Sequence, residues 1–150
     1  AQMLVEDVLV GGEESGGIAI KGHIPERDGI WMGLVLFEFM VKSGKTIEEL
    51  IKEVYEIVGS FSFERVDLHI SNTLKNNIIE KCSNDEFLSF GDYKVLRTEK
   101  IDGFKFFFEN DAWLLIRPSG TEPVLRTYAE SSTSEKAFDI LNTVKSVIGA

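Results

Sequence analysis

The sequence predicts an α+β fold, and three features of the chain support this prediction. Apolar residues alternate with polar ones over residues 66–70, as in a half-buried β-strand. Asp102-Gly103 stands between two apolar runs and favours a β-hairpin turn. Thr46 and Glu49 have the spacing of a capping box, which predicts the start of a helix.

The composition indicates a globular protein whose partners are not nucleic acids or membranes. The chain has 150 residues, 43% hydrophobic and 27% charged, enough for one domain or one domain with part of another. Its formal net charge of -9 argues against nucleic acid and anionic lipid, because both attract an excess of Lys and Arg. The most apolar stretch, residues 30–41, is about half as long as a membrane-spanning helix.

Cysteine usage indicates a reduced compartment. The single cysteine, Cys82, cannot form a disulfide within the chain, and no Cys/His spacing predicts a zinc site. We therefore expect a cytoplasmic protein. Cys82 falls on the apolar stripe of a predicted helix, which predicts a core residue rather than a reactive thiol.

Short strands, a glycine-rich loop and a helix are predicted at the start of the chain. The strand-like runs cover residues 8–10 and 18–20. Asp28 is the predicted N-cap of a helix that continues through Val41. Because this helix is apolar on nearly all sides, we expect other structure to cover it on more than one face.

A second helix is predicted over residues 46–58, where apolar residues keep helical spacing. Gly59 follows it, as a helix-ending glycine does. Residues 59–62 are the predicted hinge, so the predicted domains are residues 1–58 and 59–150.

The second predicted domain alternates strands with two helices. Ser71 is the predicted cap of a helix that carries Ile78 and Cys82. Ser132 and Glu135 form a capping box for the last helix. Strands are predicted over residues 66–70, 93–100, 104–109, 112–117 and 124–130.

The first candidate site is the acidic loop, Gly12-Glu13-Glu14-Ser15-Gly16-Gly17. Glycines let the backbone approach a ligand closely. An ionised carboxylate accepts two hydrogen bonds at once, which suits vicinal sugar hydroxyls. A flexible acidic turn explains the same residues equally well.

The second candidate site is the phosphate loop, Arg117-Pro118-Ser119-Gly120-Thr121-Glu122-Pro123, followed by Arg126. Pro118 favours an extended Arg117, and the next residues offer two hydroxyls and successive backbone N–H groups to an anion. Guanidinium groups donate forked, charge-assisted hydrogen bonds to phosphate oxygens. The alternative interpretation is a hairpin turn flanked by surface arginines.

The two loops together resemble the α-D-phosphohexomutase superfamily, the phosphoglucomutases and phosphomannomutases. Residues 12–17 are similar to the family's sugar-binding loop, and residues 117–123 to its phosphate-binding loop. Residues 22–29, Gly-His-Ile-Pro-Glu-Arg-Asp-Gly, resemble the segment that follows the sugar-binding loop. The order of these motifs, separated by about one domain, makes the match specific across nearly the whole chain.

The resemblance implies that residues 1–58 end the family's third domain, an α/β domain, and that residues 59–150 are its fourth. In the family the fourth domain has a fold similar to TATA-binding protein, an antiparallel sheet with helices on one face. The family's phosphoserine loop and metal-binding loop do not occur in the sequence. We therefore expect no catalytic residue and no metal ligand in this chain, and no turnover by the chain alone.

The same resemblance implies the reaction and the partners of the full-length enzyme. It would interconvert a hexose 1-phosphate and a hexose 6-phosphate, with glucose the expected sugar, using Mg²⁺ and hexose 1,6-bisphosphate that this chain alone does not bind. Its partners would be the phosphosugar and the N-terminal domains of the same protein. Glu13 and Ser15 would hold sugar hydroxyls. The expected ligands of the phosphate that is not transferred are Arg117, Ser119, Gly120, Thr121 and Arg126.

Two further residues are candidates near the sugar-binding loop. Arg27 stands where many members of the family have lysine, and arginine cannot act as a base although it can contact phosphate. His23 is the histidine nearest to either loop in the sequence. The alternative function is a stand-alone, non-catalytic phosphate-binding or interaction module, which the upstream gene sequence would distinguish from a mutase.

Overall fold

The computed structural model describes residues 2–13, 16–120 and 122–150. After a short 3-10 helix at Gln2–Leu4, the strands are β1 Val10–Gly12, β2 Ile18–Ile20, β3 Ser62–His69, β4 Ser89–Phe90, β5 Tyr93–Lys94, β6 Arg97–Glu99, β7 Phe104–Phe107, β8 Trp113–Pro118 and β9 Val124–Ser131. The helices are α1 Gly29–Ser43, α2 Ile47–Val58, α3 Asn72–Ser83 and α4 Ser134–Ile148. Contacts divide the chain into two compact units, Ala1–Val54 and Tyr55–Ala150. This division falls inside α2, and the hinge at residues 59–62 stays a prediction.

Local signals set the start and end of α1. The Asp28 side chain accepts a hydrogen bond from the Trp31 backbone N–H at 2.9 Å, which confirms the predicted N-cap. Gly44 ends the helix in the left-handed region at φ 68°. No residue of α1 is buried, although we expected the helix to be covered on more than one face. Among the described residues, no helix is long and apolar enough to cross a membrane.

The predicted capping box begins α2. The Thr46 backbone N–H donates to Glu49 Oε2 at 2.8 Å, and the Glu49 N–H donates to Thr46 Oγ1 at 3.3 Å. The helix ends before Gly59, which has a φ of 82°. Both ends therefore follow the sequence prediction.

The second unit is built on one antiparallel sheet. Its strand order is β3-β9-β8-β7-β6. β6 and β7 pair across the Asp102-Gly103 turn, as predicted, and Gly103 has a φ of 95°. The predicted strand over residues 93–100 is wrong, because its two ends belong to different sheets: β5 pairs with β4, and β6 pairs with β7.

The core of the second unit lies on one face of this sheet. Leu114 and Ile116 of β8 are completely buried there, with Leu125 of β9 beside them. Cys82 of α3 and Ile140 of α4 belong to the same cluster, so both helices cover the same face. Each fully buried aliphatic side chain contributes about 1.5–3 kcal/mol. The α+β fold, with an antiparallel sheet and helices on one face, is confirmed.

The helix caps of the second unit differ in one place from the prediction. Ser71 caps α3 as expected, since its hydroxyl accepts from the Leu74 N–H at 3.2 Å. The cap of α4 is Thr133 and not Ser132, because α4 begins one residue later than the capping box requires. The Thr133 hydroxyl accepts from the Lys136 N–H at 3.3 Å.

Candidate functional site

The phosphate loop connects β8 to β9, two neighbouring strands in the interior of the sheet. The Ser119 N–H donates to the Val124 carbonyl at 3.0 Å, and the Glu122 N–H donates to Ser119 Oγ at 3.3 Å. Ser119 is only 8% exposed, and its hydroxyl keeps a proton to donate while its oxygen accepts. Thr121 lies outside the described residues.

Arg117 and Arg126 are directly opposite each other in the β8–β9 register. Both side chains lie on the face away from α3 and α4, because neighbours such as Ile116 and Leu125 point into the core. Side chains of directly opposed strand residues start about 4.5–5.5 Å apart, and like charges there repel. The Arg126 Nε atom is buried and has no hydrogen-bond partner among the described residues. Two facing cations with an unsatisfied donor form a site that suits an anion.

Carboxylates lie beside both arginines. Arg117 Nε is 3.3 Å from Asp102 Oδ1, and the two side chains are 37% and 71% exposed. Asp67 of β3 is opposite Arg126 in the β3–β9 register. Hydrogen bonds from the Arg65 side chain, and more weakly the charge of Arg126, lower the pKa of Asp67. These exposed acids compensate part of the arginine charge, and Arg117 stays partly exposed to a ligand.

The Asp102-Gly103 turn is held close to the strand that carries Arg117. A Cβ atom on Gly103 would lie 2.7 Å from the Ile116 carbonyl oxygen and 3.3 Å from Arg117 Cα. Only glycine fits this approach at a φ of 95°. The glycine thereby brings the Asp102 carboxylate within reach of Arg117.

Lys75 holds the phosphate loop from the side of α3, and the sequence did not indicate this residue. Lys75 Nζ of α3 donates to the Ser119 carbonyl at 2.6 Å and to the Glu122 carbonyl at 2.8 Å. Lys75 precedes these partners by 44 and 47 residues. No local pattern points to it, because only the packing of α3 against the sheet brings it to the loop.

In the first unit, the acidic loop joins the antiparallel strands β1 and β2. The Glu13 N–H donates to the Gly17 carbonyl at 2.9 Å, and Arg27 Nη1 donates to Glu13 Oε2 at 2.6 Å. A Cβ atom on Gly17 would lie 2.7 Å from Arg27 Cδ, so this glycine makes room for the arginine. Glu13, Gly17 and Arg27 line a cavity of about 180 Å³. Ser15, the other predicted sugar contact, lies outside the described residues, as does Glu14.

Comparison with known proteins decides the family. The model described as "Phosphoglucomutase/phosphomannomutase, alpha/beta/alpha domain III" matches residues 1–58. The model described as "Phosphoglucomutase/phosphomannomutase, C-terminal domain" matches residues 75–145. The chain belongs to the phosphoglucomutase/phosphomannomutase family. The resemblance of the two loops to the α-D-phosphohexomutase superfamily is thus confirmed.

Relatives within this family carry two kinds of name. A phosphoglucomutase/phosphomannomutase of Thermococcus kodakarensis is 34% identical over 93% of this chain and 28% of its own length. A probable phosphoglucosamine mutase of Methanobrevibacter smithii is 33% identical over 99% of this chain and 32% of its own length. A probable phosphoglucosamine mutase of Pyrococcus furiosus is 37% identical over 93% of this chain and 29% of its own length. The chain therefore spans less than a third of the length of these relatives.

A solved member of the phosphoglucomutase/phosphomannomutase family has the same fold. The crystal structure of that relative, a protein of Burkholderia thailandensis, superposes on this chain with a TM-score of 0.67 at 18% sequence identity. The match covers 97% of this chain and 30% of that one. At this identity the likeness concerns the fold alone.

In this chain, His23 contacts residues at the start of α1. Its Nε2 is 2.9 Å from Asp28 Oδ2, and its ring stacks on Trp31 with centroids 4.6 Å apart. The pKa of Asp28 is lowered, first by the backbone hydrogen bond from Trp31 and then by the one from His23. These contacts give His23 a structural role at the helix cap, and a role in sugar binding stays a prediction.

Within the part of the chain that the structure describes, no three His, Cys, Asp or Glu side chains group to hold a metal ion. Cys82 is completely buried, and burial raises the pKa of its thiol to about 12. Because the thiolate is the reactive form, Cys82 is unsuited to nucleophilic chemistry. As the sequence predicted, it is a core residue of the domain.

Proposed function

We propose that this family member is the substrate-binding part of a hexose phosphomutase. The full-length enzyme interconverts a sugar 1-phosphate and a sugar 6-phosphate through a bisphosphate intermediate. The observation that carries the proposal is that Arg126, whose Nε has no hydrogen-bond partner among the described residues, lies directly opposite Arg117 on the neighbouring strand. A phosphate dianion beside the two guanidinium groups removes the repulsion between them.

In this proposal the phosphate loop anchors the phosphate that is not being transferred. Arg117 and Arg126 donate from their side chains, and Ser119, Gly120 and Thr121 contribute hydroxyl and backbone donors. Anchoring one end of the substrate fixes the position of the reacting end, on which phosphoryl transfer depends.

The acidic loop binds the sugar in the same proposal. Glu13 accepts hydrogen bonds from vicinal hydroxyls, with Ser15 beside it. The ion pair with Arg27 orients the Glu13 carboxylate for this purpose. Arg27 therefore acts through Glu13, and it contributes no proton transfer.

We assign the chemical step to the N-terminal domains of the full-length protein. The sequence contains neither the phosphoserine loop nor the metal-binding loop of the family, so in this proposal the phosphoserine and Mg²⁺ belong to that part of the enzyme, and hexose 1,6-bisphosphate is bound by the full-length protein. We accordingly expect no turnover by residues 1–150 alone. A cytoplasmic location is part of the proposal.

Glucose is the proposed sugar, on the basis of the Glu-Glu-Ser-Gly-Gly form of the acidic loop. Relatives are named for glucose, mannose and glucosamine phosphates, so the test compares all three. We expect the full-length enzyme to have its highest kcat/KM with glucose 1-phosphate. A higher value with glucosamine 1-phosphate contradicts the glucose assignment and leaves the phosphate site intact.

A titration of this chain with glucose 6-phosphate, followed by NMR, tests the phosphate site. We expect millimolar phosphosugar to shift the amide signals of Ser119 and Gly120, and Arg117→Ala to weaken binding by about 10- to 100-fold. Arg97→Ala is the matched control, since it removes the same charge from an exposed arginine paired with Glu99 on β6. Glucose without phosphate is the second control. Unmoved signals at Ser119 and Gly120 contradict the assignment.

The core of the second unit favours one other function. Among the described residues of 55–150, sixteen buried residues form a cluster, enough for a domain that acts alone as a phosphate-binding or interaction module. The sequence of the gene upstream distinguishes the two functions. A phosphoserine loop and a metal-binding loop there identify the mutase, and their absence favours the module.

A further inference from the structure

The phosphate loop is held by its carbonyl groups at the junction of β3 and α3. Lys75 Nζ binds the Ser119 and Glu122 carbonyls at 2.6 and 2.8 Å. The Ile70 N–H, which follows β3, donates to the Pro123 carbonyl at 3.2 Å. Three carbonyls of a short loop therefore face the same corner of the fold.

The direction of a carbonyl fixes the direction of the next amide. A trans peptide group is planar, with its C=O and N–H pointing to opposite sides. Since the Ser119 carbonyl points at Lys75, the Gly120 N–H points away from Lys75 and α3. Gly120 has no side chain, so this N–H is the donor that Gly120 offers to a ligand.

We propose that Lys75 is a positioning residue of the phosphate site, which holds the Ser119–Gly120 peptide so that the Gly120 N–H faces the bound phosphate. This inference rests on the phosphate-binding function proposed above. The ammonium group uses two of its three donors on the loop carbonyls. A glycine peptide rotates easily, and the bond from Lys75 to the Ser119 carbonyl removes that freedom before the ligand arrives. The bond to the Glu122 carbonyl holds the far end of the loop.

Lys75 also places a positive charge at the back of a loop that receives a dianion. This charge attracts phosphate through the loop in addition to the donors that face the ligand. Lysine suits this position, because a single ammonium donates to several carbonyls in different directions. Arginine keeps the charge and donates to two carbonyls from its fork.

The test compares four proteins: the 150-residue chain, Lys75→Met, Lys75→Arg and Lys81→Met. Lys81 lies on the same helix and is exposed, so Lys81→Met changes the net charge equally without touching the loop. The dissociation constants of inorganic phosphate and glucose 6-phosphate are measured from the Gly120 amide signal, well below the Tm of each variant. We expect Lys75→Met to weaken both ligands by about tenfold or more, Lys75→Arg to restore most of the affinity and Lys81→Met to have little effect.

The Gly120 amide provides a readout that loss of stability alone does not change. In Lys75→Met we expect its signal to move in the ligand-free protein, because the peptide is no longer held in one orientation. Equal affinity in Lys75→Met and Lys81→Met, with an unmoved Gly120 signal, overturns the inference while Arg117→Ala still tests the proposed function. A wild-type chain that binds neither ligand overturns the proposed function instead.

A measurement without substitution covers the case in which Lys75→Met does not fold. The Lys75 ammonium protons exchange slowly with water if they are bonded to the Ser119 and Glu122 carbonyls, and the exposed Lys81 ammonium exchanges fast. We expect a visible Lys75 ammonium signal that shifts when phosphate binds. Exchange as fast as that of Lys81 overturns the inference.

Discussion

The two units of the chain differ in how much of their apolar surface they bury. In the described part of Ala1–Val54, the buried hydrophobic residues are Ala19 and Leu50, and α1 exposes Leu34 and Phe37 by 60% and 64%. In the described part of Tyr55–Ala150, sixteen buried residues form one cluster between the sheet and two helices. Helix caps and helix bounds can thus follow local sequence signals even where few side chains are buried.

This difference extends to the two candidate binding loops. The phosphate loop connects two interior strands of a packed sheet and is bonded to Lys75. The acidic loop connects two strands of three residues each and is held by the exposed pair of Arg27 and Glu13. We infer that the phosphate loop is held in one conformation by the unit that carries it, whereas the acidic loop depends more on weak local contacts.

The largest expected effect compares the same substitution in the two units. Leu114→Ala removes a completely buried side chain from the second unit and should lower the free energy of unfolding by about 2–5 kcal/mol. Leu34→Ala, at a position 60% exposed, should change it by less than about 0.5 kcal/mol. Urea denaturation followed by circular dichroism measures both values. A cost for Leu34→Ala close to that of Leu114→Ala would mean that α1 is buried in solution.

Replacing a glycine by alanine should lower the stability of the protein in the second unit and raise it in the first. Gly103→Ala places a Cβ atom 2.7 Å from the Ile116 carbonyl at a φ of 95°, and should destabilise the protein by about 1–3 kcal/mol. Gly33→Ala lies inside α1 with no atom within 4 Å of the new Cβ, and should stabilise that helix by about 0.5–1 kcal/mol. The shift of the denaturation midpoint gives the sign. Midpoints that move in the same direction for Gly103→Ala and Gly33→Ala would contradict this expectation.

The smallest expected effect concerns the ion pair of the acidic loop. Arg27 and Glu13 have side chains 55% and 50% exposed, so Arg27→Gln should cost less than about 1 kcal/mol. Lys21→Gln is the matched control, since it breaks another exposed ion pair in the same unit. Thermal denaturation at low and high salt measures both variants. A loss for Arg27→Gln that far exceeds the control and persists in high salt would show that the acidic loop is as firmly held as the phosphate loop.

Much of the fold was predictable because its signals are local. The caps at Asp28 and Ser71 and the capping box of α2 depend on residues three positions apart, and all three predictions are confirmed. The strand predicted over residues 93–100 failed for a non-local reason. The Val95 N–H bonds to Leu88 and the Leu96 N–H bonds to Phe107, so the chain changes sheets between these two residues.

By itself, the sequence determined the residue types and their order: the acidic loop, the phosphate loop with its proline and glycine, and the family to which they point. Only the tertiary structure decided that Arg126 lies across from Arg117 and that Lys75 reaches the Ser119 carbonyl. The physical reason is that strand register and helix packing are fixed by burial of the core, which acts between residues far apart in the chain. The residues of each loop follow one another in the sequence and could be recognised there, whereas Lys75 belongs to a separate helix that folding brings to the phosphate loop.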